Sequence, residues 1–235
     1  MRLRNLSIGY NTSAPIVQSI DAELLCGSFT CLLGRNGTGK STLLMTLAGQ
    51  LAPLSGSIIM SSSISKSGST IYNNMSSAKD AVPALVLPKS PDLQNTTVRE
   101  LVCYGRLPYT GLFGRLHEAD YQAADEAISR VGISHLADRK INLLSDGERQ
   151  KALIARGLAQ GSDTLLLDEP SAFLDYPSRR ALMTLLQELS HVDKKTILLS
   201  THDVELATQY ADHLWIIDDH HLIEKAPQDF SPEEL

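Results

Sequence analysis

The chain has 235 residues, 43% of them hydrophobic, and carries a formal net charge of −6. No stretch is dense in Lys or Arg beyond pairs such as Lys194-Lys195, which argues against nucleic acid as the main partner, because a phosphate backbone calls for a basic stripe. Met1 to Tyr10 has no apolar signal core and no run approaches 18 apolar residues, so neither a secretory leader nor a bilayer-spanning segment is expected.

In chain order, the first thirty residues read as β structure: Leu3, Leu6 and Ile8, then Ile16, Val17, Ile20, Leu24 and Leu25, broken by the turn Asn11-Thr12-Ser13-Ala14-Pro15. The apolar run Phe29-Thr30-Cys31-Leu32-Leu33 leads directly into Gly34-Arg35-Asn36-Gly37-Thr38-Gly39-Lys40-Ser41-Thr42, an unbroken G-x-x-x-x-G-K-[ST] phosphate loop. A strand is expected to end near Leu33 and a Leu-rich helix (Leu43, Leu44, Leu47) to begin near Lys40. The glycines let the backbone wrap a phosphate, and the N–H groups at the helix start point at the anion. Lys40 would reach the β- and γ-phosphates and Ser41 would ligate Mg²⁺. The loop therefore predicts a nucleoside triphosphate ligand.

After Pro53-Leu54-Ser55-Gly56 a short strand is expected over Ser57 to Met60, and the Ser-, Asn- and Gly-rich residues 61–80 read as an exposed loop or weak hairpin. Apolar runs of strand length recur at residues 84–87, 164–167, 196–199 and 214–217. They are apolar at nearly every position rather than alternating, as suits parallel strands buried on both faces. Between the second and third of the five apolar strands the pattern is helical, at about 96–108, 118–131 and 145–160. A further helix starts at Pro177 and carries Leu182, Leu185, Leu186 and Leu189 along one face. These elements predict a parallel α/β core with a mostly helical insertion. No linker divides the chain. The three cysteines, Cys26, Cys31 and Cys103, lack metal-type spacing and read as filler in a cytoplasmic protein.

Leu165-Leu166-Leu167-Asp168-Glu169 is a Walker B segment. At the end of a buried strand beside the phosphate loop, Asp168 can hold Mg²⁺ and Glu169 can orient or deprotonate an attacking water. In Leu144-Ser145-Asp146-Gly147-Glu148-Arg149-Gln150, Ser145 with Glu148 three residues on forms a capping box. Twenty residues before Walker B, the same segment resembles the signature motif of ABC ATPases, usually L-S-G-G-Q.

The order and spacing of these motifs resemble that family over essentially the whole chain. The resemblance implies a P-loop NTPase (RecA-like) parallel-sheet core with an N-terminal antiparallel β subdomain and a helical insertion, roughly 90–162, within one domain, 1–235. It implies nucleotide contacts from Gly34 through Thr42 and from Tyr10 stacked on adenine. It also implies a catalytic pair, Glu169 and His202, the latter touching the γ-phosphate. Asp175 would lie in the D-loop at a dimer seam, with ATP as substrate and Mg²⁺ at Ser41 and Asp168. In a homodimer, Ser145, Gly147 and Glu148 would contact the ATP held by the other subunit.

The chain departs from the family at Asp146, where a glycine is usual and a carboxylate should turn aside, and at Glu148, where glutamine is usual. Lys89 stands at the Q-loop position, where a protonated lysine cannot ligate a metal; either it swings out or Gln94 substitutes from a shifted loop. The stretch from Val98 to Leu116, with Tyr104, Arg106 and Tyr109, looks like the permease-docking segment of the iron-siderophore, haem and vitamin B12 importer ATPases. That likeness implies integral-membrane permease partners and, indirectly, a substrate-binding protein, with this chain peripheral on the cytoplasmic face of the inner membrane. The alternative is a soluble ABC ATPase of a protein-assembly complex, of the iron–sulfur type.

Overall fold

Unbroken apolar runs become strands that see no water. In the computed structural model, which describes residues 1–60, 70–71, 82–88, 95–111 and 114–231, strands β3 (Phe29–Leu33), β7 (Thr164–Asp168) and β8 (Thr196–Ser200) are buried at every position. With β6 (Ala84–Val86), β9 (His213–Asp218) and β10 (His221–Lys225) they make a six-stranded sheet in the order β10-β9-β3-β8-β7-β6. Every pairing is parallel except the β9–β10 hairpin at the edge.

Successive side chains in a strand face opposite ways, so each leucine run feeds two cores. Leu33, Leu165, Leu167, Ile197 and Leu199 join helix α5 (Tyr176–His191) on one face. Leu32, Leu166 and Leu198 join helix α1 (Lys40–Leu47) and the N-terminal strands on the other. Those strands, β1 (Arg2–Ile8), β2 (Val17–Glu23), β4 (Ser55–Met60) and β5 (Thr70–Ile71), form a separate antiparallel sheet in the order β2-β1-β4-β5. β4 starts two residues before the expected Ser57. Apart from Thr70 and Ile71, the loop or hairpin expected over 61–80 lies outside the described residues.

The insertion is helical, as its pattern predicts: α2 (Val98–Cys103), running on as a 3-10 turn over Tyr104–Tyr109, then α3 (Glu118–Arg130) and α4 (Asp146–Ala159). The turn sits directly on α4, because a Cβ at Gly105 would lie 2.3 Å from the Arg156 carbonyl oxygen. The last carbonyls of a helix need outside donors. Here the Arg106 guanidinium donates to the Ala159 oxygen at 2.9 Å and the Tyr109 hydroxyl to the Gln160 oxygen at 2.6 Å. Arg106 also stacks on the Tyr109 ring and pairs with buried Asp120 at 3.1 Å. Of the three residues read as a docking surface, Arg106 and Tyr109 thus face inward; Tyr104 remains exposed, next to exposed Leu107.

Candidate functional site

Register brings the motifs to one edge of the parallel sheet. Leu32 and Asp168 both pair with Ser200, so β3, β7 and β8 end side by side. Their continuations are the phosphate loop, Glu169 and His202, the edge where parallel α/β sheets bind ligands.

The loop is built around Gly39, which caps α1 with φ +107°. A Cβ there would lie 2.6 Å from Ile16 Cγ2, so only glycine fits. Gly34 is buried, while Arg35, Asn36 and Gly37 are exposed. The Thr38 hydroxyl donates to the Arg35 carbonyl at 2.9 Å and closes the loop. The first amides of α1, from Lys40, Ser41 and Thr42, have no partner within the helix and form an anion cradle. Thr42 is buried and Ser41 exposed at the loop's mouth.

Lys40 is 5% exposed. Its ammonium donates to the Gly34 and Arg35 carbonyls at 2.8 and 3.0 Å and lies 3.9 Å from Glu169 Oε1. Burial lowers its pKa, against the opposing pull of Glu169 and Asp168. The cation is thus held among loop carbonyls beside the Walker B carboxylate, the position from which a polyphosphate would draw it.

Asp168 is buried, and its Oδ1 accepts from the Ser200 hydroxyl at 2.7 Å. Glu169 leaves the strand with φ +43°. Its N–H donates to the Ser200 hydroxyl at 2.9 Å and more weakly to the Ser200 carbonyl at 3.2 Å. Sequence reasoning gave Ser200 no role; its place just before Thr201-His202 was the available signal. The Thr201 N–H donates to the Leu32 carbonyl at 3.1 Å, and Asp203 caps α6 (Val204–Tyr210), leaving His202 exposed between them.

Two more helix starts carry motif residues. Ser145 caps α4: its oxygen accepts from the Glu148 N–H at 3.3 Å, and Glu148 Oε2 accepts from the Ser145 N–H at 2.8 Å and hydroxyl at 2.9 Å. These bonds, the backbone one first, hold the Glu148 carboxyl below its usual range. Asp146 pairs with Arg149 one turn along the helix, at 3.0 Å. Gly147 lies in the first turn of α4, near Ser178 of α5. Asp175 caps α5, accepting from the Ser178 N–H at 3.0 Å, and the helix starts at Tyr176, one residue before the expected Pro177. Tyr10 is 71% exposed on the loop after β1, and Ile16, where that loop returns, packs on Gly39. Lys89 and Gln94 lie outside the described residues.

Among the described residues no group of three or more His, Cys, Asp or Glu can hold a metal ion alone. The oxygen donors of Ser41 and Asp168 do suit Mg²⁺, a hard ion that takes few protein ligands and completes its shell with water and substrate phosphates. No described helix is long and apolar enough to cross a membrane.

A sequence profile described as ABC transporter matches residues 17–172. The achromobactin transport ATP-binding protein of Dickeya dadantii is 39% identical over 212 residues, covering 90% of this chain and 76% of that protein. The ferric enterobactin transport ATP-binding protein of Escherichia coli is 34% identical over 236 residues, covering 100% and 84%. Among solved structures, a metal-chelate type ABC transporter in an inward-facing conformation superposes with a TM-score of 0.82 at 26% identity, covering 99% of this chain and 85% of that one.

Proposed function

The chain belongs to the ABC transporter family of ATP-hydrolysing ATPases, and from that premise we propose that it powers uptake of an iron-siderophore, haem or cobalamin-type ligand through a separate membrane permease. The observation that carries the reading is the meeting of the buried Lys40 ammonium, Asp168 and Glu169 at the mouth of the phosphate loop. The names of the relatives support the cargo class, and exposed Tyr104 and Leu107, fastened to the signature helix by Arg106 and Tyr109, support a docking face.

In this reading the α1 amides and Lys40 take the phosphates of ATP, and Tyr10 covers the adenine. Ser41 and Asp168 would hold Mg²⁺, which would supply positive charge against the substrate phosphates. Glu169, pointed at this space from its left-handed turn, accepts a proton from the attacking water, and His202 donates to the γ-phosphate. Ser145 and Gly147 of a second copy close the site. The Ser145 hydroxyl, turned to Glu148 in the free chain, rotates to the phosphate. Exposed Leu143, Phe173 and Tyr176 lie beside Ser145 and Asp175, an apolar fringe suited to burial against that copy. ATP then joins two subunits and hydrolysis parts them, on the cytoplasmic face of the membrane.

Affinity purification of the tagged chain from detergent-solubilised membranes tests the assignment. Recovery of an integral-membrane permease, with ATPase activity raised by a chelated-iron or corrinoid ligand in proteoliposomes, is expected. Recovery of a soluble scaffold instead would overturn the importer reading in favour of the assembly type.

A further inference from the structure

We propose that Ser200 is a positioning residue for hydrolysis, its one hydroxyl setting the metal-binding carboxylate and the water-activating residue at once. This rests on the reading that Asp168 holds Mg²⁺ and Glu169 the water.

A serine hydroxyl has one proton and two lone pairs. Here the proton goes to Asp168 Oδ1 at 2.7 Å, and a lone pair takes the Glu169 N–H at 2.9 Å. Ser200 is 0% exposed, so no water competes for either bond. The rest of β8 is apolar at the three preceding positions, all fully buried. A hydroxyl there is costly unless satisfied, and the partners it finds are the two acidic residues of Walker B.

Each bond has a separate consequence. The bond to Oδ1 fixes the rotation of the Asp168 carboxylate and leaves Oδ2, which has no hydrogen bond among the described residues, as the oxygen free to meet a metal's water shell. Holding the Glu169 N–H pins that residue at φ +43°, a conformation a non-glycine residue keeps only when its surroundings impose it. That turn aims the Glu169 carboxylate at Lys40, 3.9 Å away. Groups that orient a ligating carboxylate change metal affinity or activity by about 10–100-fold when removed.

The test uses the purified full chain as wild type, Ser200→Ala, Ser200→Cys and Glu169→Gln. Three quantities are read: turnover, the Mg²⁺ concentration giving half-maximal ATP affinity, and ATP affinity in EDTA. For Ser200→Ala, turnover is expected to fall by ~10–100-fold and the Mg²⁺ midpoint to rise by ~10-fold, with ATP affinity in EDTA within about twofold of wild type, since the α1 cradle is untouched. Ser200→Cys, close in size but a weak donor, shifts the midpoint the same way and covers the case in which alanine packs poorly. An unchanged Mg²⁺ midpoint in both Ser200 variants, with Glu169→Gln nearly inactive, overturns the proposal and leaves the site reading standing. Wild-type turnover in Glu169→Gln removes the site reading itself.

Discussion

Ser145 has two jobs that substitution can separate. In the free chain it caps α4 by accepting the Glu148 N–H at 3.3 Å, while its hydroxyl donates to Glu148 at 2.9 Å. Replacing a capping serine by alanine costs about 1 kcal/mol, and by glycine only a few tenths, because glycine is itself a good cap. For a chain of this size, 1 kcal/mol lowers the melting temperature by roughly 2–4 °C. Ser145→Ala should therefore melt about 2–4 °C lower and Ser145→Gly within about 1 °C of wild type. Neither loss is large enough to empty the folded state, whose stability is about 5–15 kcal/mol. Turnover should behave differently. If the hydroxyl donates to a γ-phosphate across the dimer, both variants lose that donor, and one such donor is worth about 100-fold, or ~2.7 kcal/mol. Steady-state ATPase rates beside differential scanning fluorimetry make the comparison. A Ser145→Gly variant that hydrolyses ATP as fast as wild type would refute the trans contact and leave Ser145 as a cap alone.

Other outcomes follow from the same geometry. Gly105→Ala forces a Cβ to 2.3 Å from the Arg156 carbonyl, an overlap that should cost about 1–3 kcal/mol; Gly111→Ala meets nothing within 4 Å among the described residues and serves as the control. Equal melting temperatures for the two would contradict the packing. Lys40→Ala should weaken ATP binding at least ~10-fold, since the buried cation leaves the phosphate site; calorimetric titration giving an unchanged affinity would remove Lys40 from it. The Glu148 and Glu100 carboxyls are both held below their ordinary 4.5, first by the N–H of their own cap residue. Their contribution is fully present above pH 4.5 and is lost as the pH falls through the lower folded-state values. The melting-temperature gap between wild type and Glu148→Gln should accordingly close below about pH 4.5, and a gap constant with pH would count against the capping box.

The core was legible because its signal is local. Leu165 to Leu167 and Ile197 to Leu199 are unbroken apolar runs of strand length, the pattern of a strand buried on both faces. The phosphate loop, the Ser145–Glu148 box and the Asp175 cap depend on residues three apart, and a sequence displays such spacing directly. What stayed hidden depends on distance along the chain. Arg106 and Tyr109 look like exposed side chains until the Ala159 and Gln160 carbonyls, some fifty residues later, need donors. The edge strand His221–Lys225 mixes charge with apolar residues, and none of its positions is fully buried. Ser200 shows its role only when the register sets it opposite Asp168.

The central claim is that ATP joins two copies of this chain, each completing the other's catalytic pocket. Sedimentation of Glu169→Gln with Mg²⁺ and ATP tests it most directly. A dimer that forms with ATP, does not form with ADP, and is lost on adding Ser145→Ala is predicted; a monomer at high protein concentration under all three conditions would contradict it.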